Sequence, residues 1–239
     1  MAEAVEAPTG ERRAEIQAAL DEVRAAIRQR QTGDARLVAV SKYKPASDIV
    51  AAHAAGQRHF GENYVQELCD KAAALPGDIA WHFIGRLQSN KCRALAAIPN
   101  LWAVETIESA DKARKMDAAW RAAGHARPLG VYVQVNTSGE PNKGGVEPAE
   151  LEAVAREIAG ACPALSLRGL MTIGSVDGSR QRPNPDFVAL ARLRDGLQQA
   201  LGPAAGPLEL SMGMSDDFEH ALELGAASVR VGSRIFGAR

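Results

Sequence analysis

The chain of 239 residues is 46% hydrophobic and 24% charged, with a formal net charge of -1, a balance that excludes global disorder and offers no basic excess for a phosphate backbone. Nucleic acid is therefore not an expected partner. Cys69, Cys92 and Cys162 are odd in number and too dispersed for a disulfide framework or a Cys-x-x-Cys metal site. No run approaches the roughly 20 apolar residues of a membrane helix, and residues 1–10 lack the apolar core of a signal peptide. The expectation is a cytoplasmic protein, with residues 1–9 as a disordered tail and residues 10–239 as one domain.

Residues 10–31 place Ile16, Ala19, Leu20, Val23, Ala26 and Ile27 at helical spacing among Glu, Arg and Gln, which predicts one amphipathic helix. Beyond it, short and often β-branched apolar runs alternate with Ala-rich amphipathic stretches. The predicted strands are 37–42, 59–63, 79–85, 101–106, 131–136, 166–173, 208–212 and 228–231. Helices are expected over 46–55, 64–75 and 89–97, then in a long stretch ending at Gly124, and over 148–160, 186–201 and 216–224. A Gly/Pro-rich connection spans 139–145 and a polar insertion spans 174–185. Eight alternating units in this length fit an α/β fold, a (β/α)8 TIM barrel, which typically takes roughly 250 residues. The N-terminal helix can fill the outer-ring place left after the eighth strand. An open doubly wound sheet fits less well, because Ser41-Lys42-Tyr43-Lys44-Pro45 stands where its Gly-x-Gly-x-x-Gly turn would follow the first strand.

Chemistry in such a barrel sits at the C-terminal ends of the strands. Those ends carry Lys42, Glu62-Asn63, His82 with Gly85-Arg86, Glu105, Asn136, Met171-Thr172, Ser211 through Ser215, and Arg230 through Ser233. Period-two alternation puts Lys42 on the face of Val38 and Val40, pointing inward at the mouth. Partial desolvation there lowers a lysine pKa and exposes an amine able to condense with an aldehyde. The plainer reading is a strand-end charge reaching for water. The loops after strands seven and eight are the usual phosphate cradle. Ser215 is placed to cap a helix opening at Asp216, and Gly232-Ser233 lets backbone N–H groups approach an anion. Asp216 and Asp217 count against that cradle.

Arg230 should not be buried alone. Its candidate partners are Glu62, Glu105 or a ring nitrogen of a bound heteroaromatic. A reactive amine, a phosphate cradle and a ring-nitrogen donor on one mouth describe a pyridoxal 5'-phosphate site. His82 is expected at the mouth, as a pocket or wall residue, and no histidine shows metal-site spacing. Met171, Met212 and Met214 are either a soft lining or core filler. Trp81, Trp102 and Trp120 are expected in outer packing, and Arg86, Lys91 and Arg93 as a solvated face.

Five ordered motifs carry a resemblance: Ala39-Val-Ser-Lys-Tyr-Lys-Pro45, Phe60-Gly-Glu-Asn-Tyr-Val-Gln-Glu67, His82-Phe-Ile-Gly-Arg-Leu-Gln-Ser-Asn-Lys91, Ser211-Met-Gly-Met-Ser-Asp-Asp217, and Val229-Arg-Val-Gly-Ser233 with Ile235-Phe-Gly237. Together they resemble the pyridoxal phosphate homeostasis protein family. The resemblance implies a single-domain barrel like the N-terminal half of fold-type III enzymes, holding the cofactor as an internal aldimine on Lys42. It implies further that Asn63 contacts the cofactor and that Arg230 faces the pyridine nitrogen. Ser215, Gly232 and Ser233 would hold the phosphate, and Ser211, Met212 and Met214 would line the pocket. Tyr43 and Val231 depart from the family's usual Thr and Ile, away from this chemistry.

Such proteins carry or buffer the cofactor without catalytic turnover, keeping vitamin B6 and amino-acid pools balanced. PLP-dependent apoenzymes are the implied recipients, and a monomer or weak dimer the implied state. Two features argue the same way. Arginine in place of a carboxylate at the ring nitrogen makes the ring a poorer electron sink, and the second domain that supplies a racemase's opposite acid/base is not expected here. A racemase-like enzyme acting on an amino acid is the second reading. A cofactor-free barrel enzyme for a phosphorylated metabolite is the third.

Overall fold

Parallel strands need long crossovers, and helices supply them here. The computed structural model describes residues 5–140 and 143–238. Its elements are α1 (Gly10–Arg30), β1 (Arg36–Val40), α2 (Ala46–Ala54), β2 (His59–Glu62), α3 (Val65–Ala74), β3 (Ala80–Phe83), α4 (Cys92–Ala96), β4 (Leu101–Ile107), α5 (Ala110–Ala122) and β5 (Leu129–Gln134). They continue with α6 (Leu151–Ala161), β6 (Leu165–Met171), α7 (Val176–Ser179), α8 (Pro185–Leu201), β7 (Glu209–Ser211), α9 (Phe218–Glu223), β8 (Ser228–Val231) and α10 (Ser233–Phe236). All eight strands are parallel and close in sequence order, with β8 pairing back onto β1. The fold is the (β/α)8 barrel read from the alternation.

α1 is capped by Thr9, whose hydroxyl accepts from the Arg12 N–H, and it buries Ile16, Leu20, Val23 and Ile27 on one stripe. That stripe packs against α2, α9 and α10, so the helix occupies the expected outer-ring place, beside a single extra turn after β8. Of the stretch read as a tail, residues 1–4 lie outside the described residues, while Val5 packs partly on the core. The insertion at 174–185 contains the short α7, tied down where Asp186 Oδ2 accepts from both the backbone N–H and the hydroxyl of Ser175, each at 2.7 Å.

Outward-facing apolar side chains, among them Phe60, Trp81, Phe83, Leu101 and Val131, pack beneath the helices in one continuous layer. The inside of the barrel differs. A second, small apolar cluster of Ala103, Tyr132 and Met171, with Trp102 against it, lies apart from that layer. Trp102 thus belongs to this separate cluster, where its ring meets His59 and His82, and does not share the outer packing of Trp81. The sequence reading placed it outside because a tryptophan near a strand start fits either face. Fully buried His82, Glu105 and Ser211 and nearly buried Arg230 are set among these strands.

Candidate functional site

At the C-terminal ends of the strands a cavity of about 360 Å³ opens, lined by Lys42, Asn63, Met214, Ser215, Arg230, Gly232 and Ser233, with Val40, Ile84 and Met171 as apolar wall. Lys42 sits on a turn two residues beyond β1, not on the strand itself, yet its side chain lines the cavity. Its amine has no hydrogen-bond or ion-pair partner among the described residues. Asn63 follows β2, and its Oδ1 is buried without a donor.

The turn bearing Lys42 is clamped from outside the barrel. Lys71 on α3, nearly buried, donates to the Ser41 carbonyl at 2.8 Å and to Glu62 Oε1 and Glu67 Oε1 at 2.7 Å each. The Ser41 hydroxyl donates to Glu62 Oε1 at 2.7 Å, and the Tyr43 N–H donates to Glu67 Oε1 at 2.7 Å. Tyr43 takes φ +62°, a left-handed conformation rare for a bulky residue. Tyr43 therefore matters to the site through its backbone, which the sequence reading set aside. Glu62 is corrected as a partner for Arg230: it faces α3 and Lys71, because adjacent strand residues point to opposite faces and Asn63 takes the inner one. Burial pushes the Glu62 carboxyl up, against the pull of Lys71 and Ser41.

Arg230 enters the cavity floor from β8. Its Nη1 donates to Ser211 Oγ at 2.7 Å and its Nη2 to the Thr172 carbonyl at 2.8 Å. Ser211 donates in turn to Glu105 Oε2 at 2.5 Å, and Glu105 Oε1 lies 2.6 Å from His82 Nδ1. His82 Nε2 lies 2.9 Å from His59 Nδ1. Burial pushes the Arg230 guanidinium below its usual range, and both imidazoles are likewise pushed down by burial. Burial pushes Glu105 up, but His82, Arg230 and Ser211 outweigh it and hold the carboxyl below its ordinary value. The consistent state is a carboxylate at Glu105 and neutral histidines, with His82 Nδ1–H donating to Glu105. Glu105 thus supports Arg230 through Ser211. Ser211 and Met212 are fully buried beneath the cavity and do not line it, and His82 is a wall residue deeper in the barrel than the mouth.

The cradle is built from two loops. Ser215 does not cap α9: its hydroxyl accepts from the Gly232 N–H at 3.2 Å and so joins the loops after β7 and β8. Gly213, at φ +91°, makes the turn after β7, where a Cβ would lie 2.5 Å from Ala221 Cβ. Gly232 passes so near β1 that a Cβ would meet the Val40 carbonyl at 3.1 Å. Asp217 turns inward, its Oδ1 accepting from the Met214 N–H at 2.7 Å, and burial pushes its carboxyl up. That answers half of the objection to the cradle; Asp216 remains on the cavity rim, exposed to water.

Sequence reasoning missed Lys71, Lys44 and the Thr172 carbonyl. Glu67 and Lys71 stand four apart on a helix, a visible pairing signal, but nothing in the sequence shows that the pair reaches the Ser41 carbonyl. Lys44 lines the cavity and donates to the Ala238 carbonyl at 2.8 Å.

The alanine racemase N-terminal domain family matches residues 14–239. The pyridoxal phosphate homeostasis protein of Schizosaccharomyces pombe is 49% identical over 226 residues, covering 94% of this chain and 93% of its own. PipY of Synechococcus elongatus, solved with PLP bound, superposes with a TM-score of 0.76 at 34% identity, covering 93% of this chain and 100% of that one. Alanine racemase from Corynebacterium glutamicum matches at a TM-score of 0.69 and 18% identity over 93% of this chain and 62% of its own, a likeness of fold alone.

Proposed function

We propose, because the chain belongs to the pyridoxal phosphate homeostasis protein family, that it binds pyridoxal 5'-phosphate at the barrel mouth and carries or buffers it for PLP-dependent apoenzymes in the cytoplasm. Residues 10–239 would serve as one cofactor-binding domain. The observation that carries this reading is the unpaired Lys42 amine on the same cavity wall as Arg230 and the Ser215–Gly232 junction.

The residues fit the cofactor. A volume of about 360 Å³ lies within the range of small-molecule pockets, and the buried orphan Oδ1 of Asn63 awaits a donor. Lys42 would hold the aldehyde carbon covalently through Nζ, and Asn63 would fix the ring edge. Arg230, pinned by Ser211 and the Thr172 carbonyl, would present its guanidinium to the ring nitrogen. The Ser215 hydroxyl with the N–H groups of Gly232 and Ser233 would hold the phosphate, and Met214 would flank the ring. Bound there, the cofactor supplies a reversible electrophile and a modest electron sink. Besides Lys42 and Arg230, the titratable side chains on the described cavity lining are Lys44, which donates to the Ala238 carbonyl, and Asp216 on the rim. An arginine at the ring nitrogen would leave the ring less electron-withdrawing, in keeping with carriage, although racemases share that arrangement.

Incubation with PLP should give a stoichiometric visible absorbance band, absent in Lys42→Ala, and borohydride should fix the label on the peptide containing Lys42. Amino acids should not be racemised above the rate with free cofactor. Stoichiometric binding that survives Lys42→Ala overturns the site, and turnover lost with Lys42 selects the enzyme.

A further inference from the structure

A second cavity, of about 520 Å³, opens on the opposite face, at the N-terminal ends of β3 to β6. Trp102, Arg127, Ser166 and Arg168 stand on its wall between Pro99 and Pro128. Two guanidinium groups, of Arg127 and Arg168, line it, and that of Arg36 shares the Trp102 ring with Arg168. Arg36 and Arg168 lie 4.3 and 4.7 Å from the Trp102 ring centroid, and Arg127 lies 5.5 Å from that of Trp120. Glu209 is the sole carboxylate in ion-pair reach of them among the described residues, 2.9 Å from Arg36 and 3.9 Å from Arg168. It also accepts from the Tyr132 hydroxyl. Arg127 has no carboxylate partner among the described residues, and its donors go to the Leu101 and Pro128 carbonyls. The Arg168 Nε is buried with no acceptor among the described residues.

This arrangement is built into the strands. Gly130 lies within β5, and a Cβ there would come 3.1 Å from both Arg168 Nε and the Trp102 carbonyl, so a strand glycine makes the room that Arg168 occupies. Ring stacking over Trp102 holds Arg36 and Arg168. Arg127 stacks over Trp120 and donates to two carbonyls, yet no carboxylate among the described residues balances its charge, and its guanidinium is pushed below its usual range by desolvation and by Arg168. Guanidinium groups held together with too little counter-charge favour a multivalent anion that each can grip bidentately.

We propose that this cavity is a second binding site that takes a small multivalent anion, of the phosphate-ester or polycarboxylate class, between Arg127 and Arg168 and over Trp102. Titration of the full chain with pyrophosphate and with citrate, at constant ionic strength and with the mouth saturated with PLP, tests it by calorimetry. One site is expected. Arg127→Gln and Arg168→Met should each weaken it about tenfold or more, the scale of one lost charged contact. The stronger of the two probes identifies the class. Arg127→Gln, a change at a surface-facing side chain, keeps the test readable where Arg168→Met does not fold. In the unaltered protein the side-chain Nε–Hε resonances of Arg127 and Arg168 should move on titration. Absence of binding, binding unchanged in Arg127→Gln, or resonance shifts confined to Arg230 at the mouth overturns the proposal.

Discussion

Ser211 and Ser215 stand four residues apart on one loop-bearing strand end and serve different purposes. Ser211 is fully buried and joins Arg230 to Glu105 through bonds of 2.7 and 2.5 Å. Ser211→Ala strands a guanidinium donor and a carboxylate oxygen in the barrel, and hydrogen bonds to charged groups contribute about 1.5–3 kcal/mol each. A loss of about 2–3 kcal/mol in urea unfolding is the expected outcome. Ser215 is only partly buried and bonds to Gly232 at the cavity rim. Ser215→Ala should leave stability within about 0.5 kcal/mol, the usual range for a surface change, while PLP dissociates faster in a spectral chase. A Ser215→Ala protein that retains PLP like the parent removes the cradle from the proposal. The positions of Lys42, Asn63, Arg230 and Gly232 at one mouth were legible because parallel strands bring their C-terminal ends together. The depth of Ser211 was not, since β7 is three residues long and its stagger against β6 and β8 is set only when the barrel closes.

At the scale of elements, the turn after β1 depends on α3. Lys71 holds the Ser41 carbonyl and two carboxylates at once, and Glu62 beneath it has a fully buried side chain. Removing one member of a buried ion pair costs about 3–5 kcal/mol, so Lys71→Met should lower the unfolding free energy measured in urea by that order. It should also speed hydrogen exchange at the Tyr43 amide, which Glu67 accepts, and weaken PLP retention although Lys71 lies outside the cavity lining. Glu67→Gln keeps the shape and should raise exchange at Tyr43 with a smaller loss of stability. If exchange at Tyr43 stays at the parent rate in both variants, the clamp does not hold the turn. Element types were legible throughout from periodicity, whereas ends were not. The first strand stops at Val40 because the chain must turn through Tyr43 at positive φ, and a tyrosine carries no signal for that conformation. The helix expected over 89–97 opens as a 3-10 turn at Ser89–Lys91 before α4 begins.

For the whole molecule, eight alternations sufficed to indicate closure, but the polar content of the barrel did not follow from them. His59, His82, Glu105 and Ser211 read as isolated polar residues in separate strands, and only closure brings them into one chain ending at Arg230. That chain makes stability depend on pH. His59 is pushed down from an ordinary value of 6.5 to about 3, chiefly by burial and then by His82 and Arg36, and burial pushes His82 down as well. The unfolded chain therefore binds protons near pH 6.5 that the folded chain refuses, so stability rises with pH across the interval and is lost as pH falls below 6.5. Glu105, held below its usual value, acts in the same direction, but carboxylates in the unfolded chain begin to protonate only below about pH 5. Between about pH 6.5 and about 5 the histidines supply the fall, while Glu62 and Asp217, whose carboxyls burial pushes up, oppose it. Urea midpoints should fall steadily across this interval in the parent protein. His59→Gln and His82→Gln remove a titrating ring while keeping a polar group, and should each flatten that fall. A slope unchanged in both variants would mean that these two rings take up protons as readily folded as unfolded, and that the chain from His59 to Arg230 is not held dry.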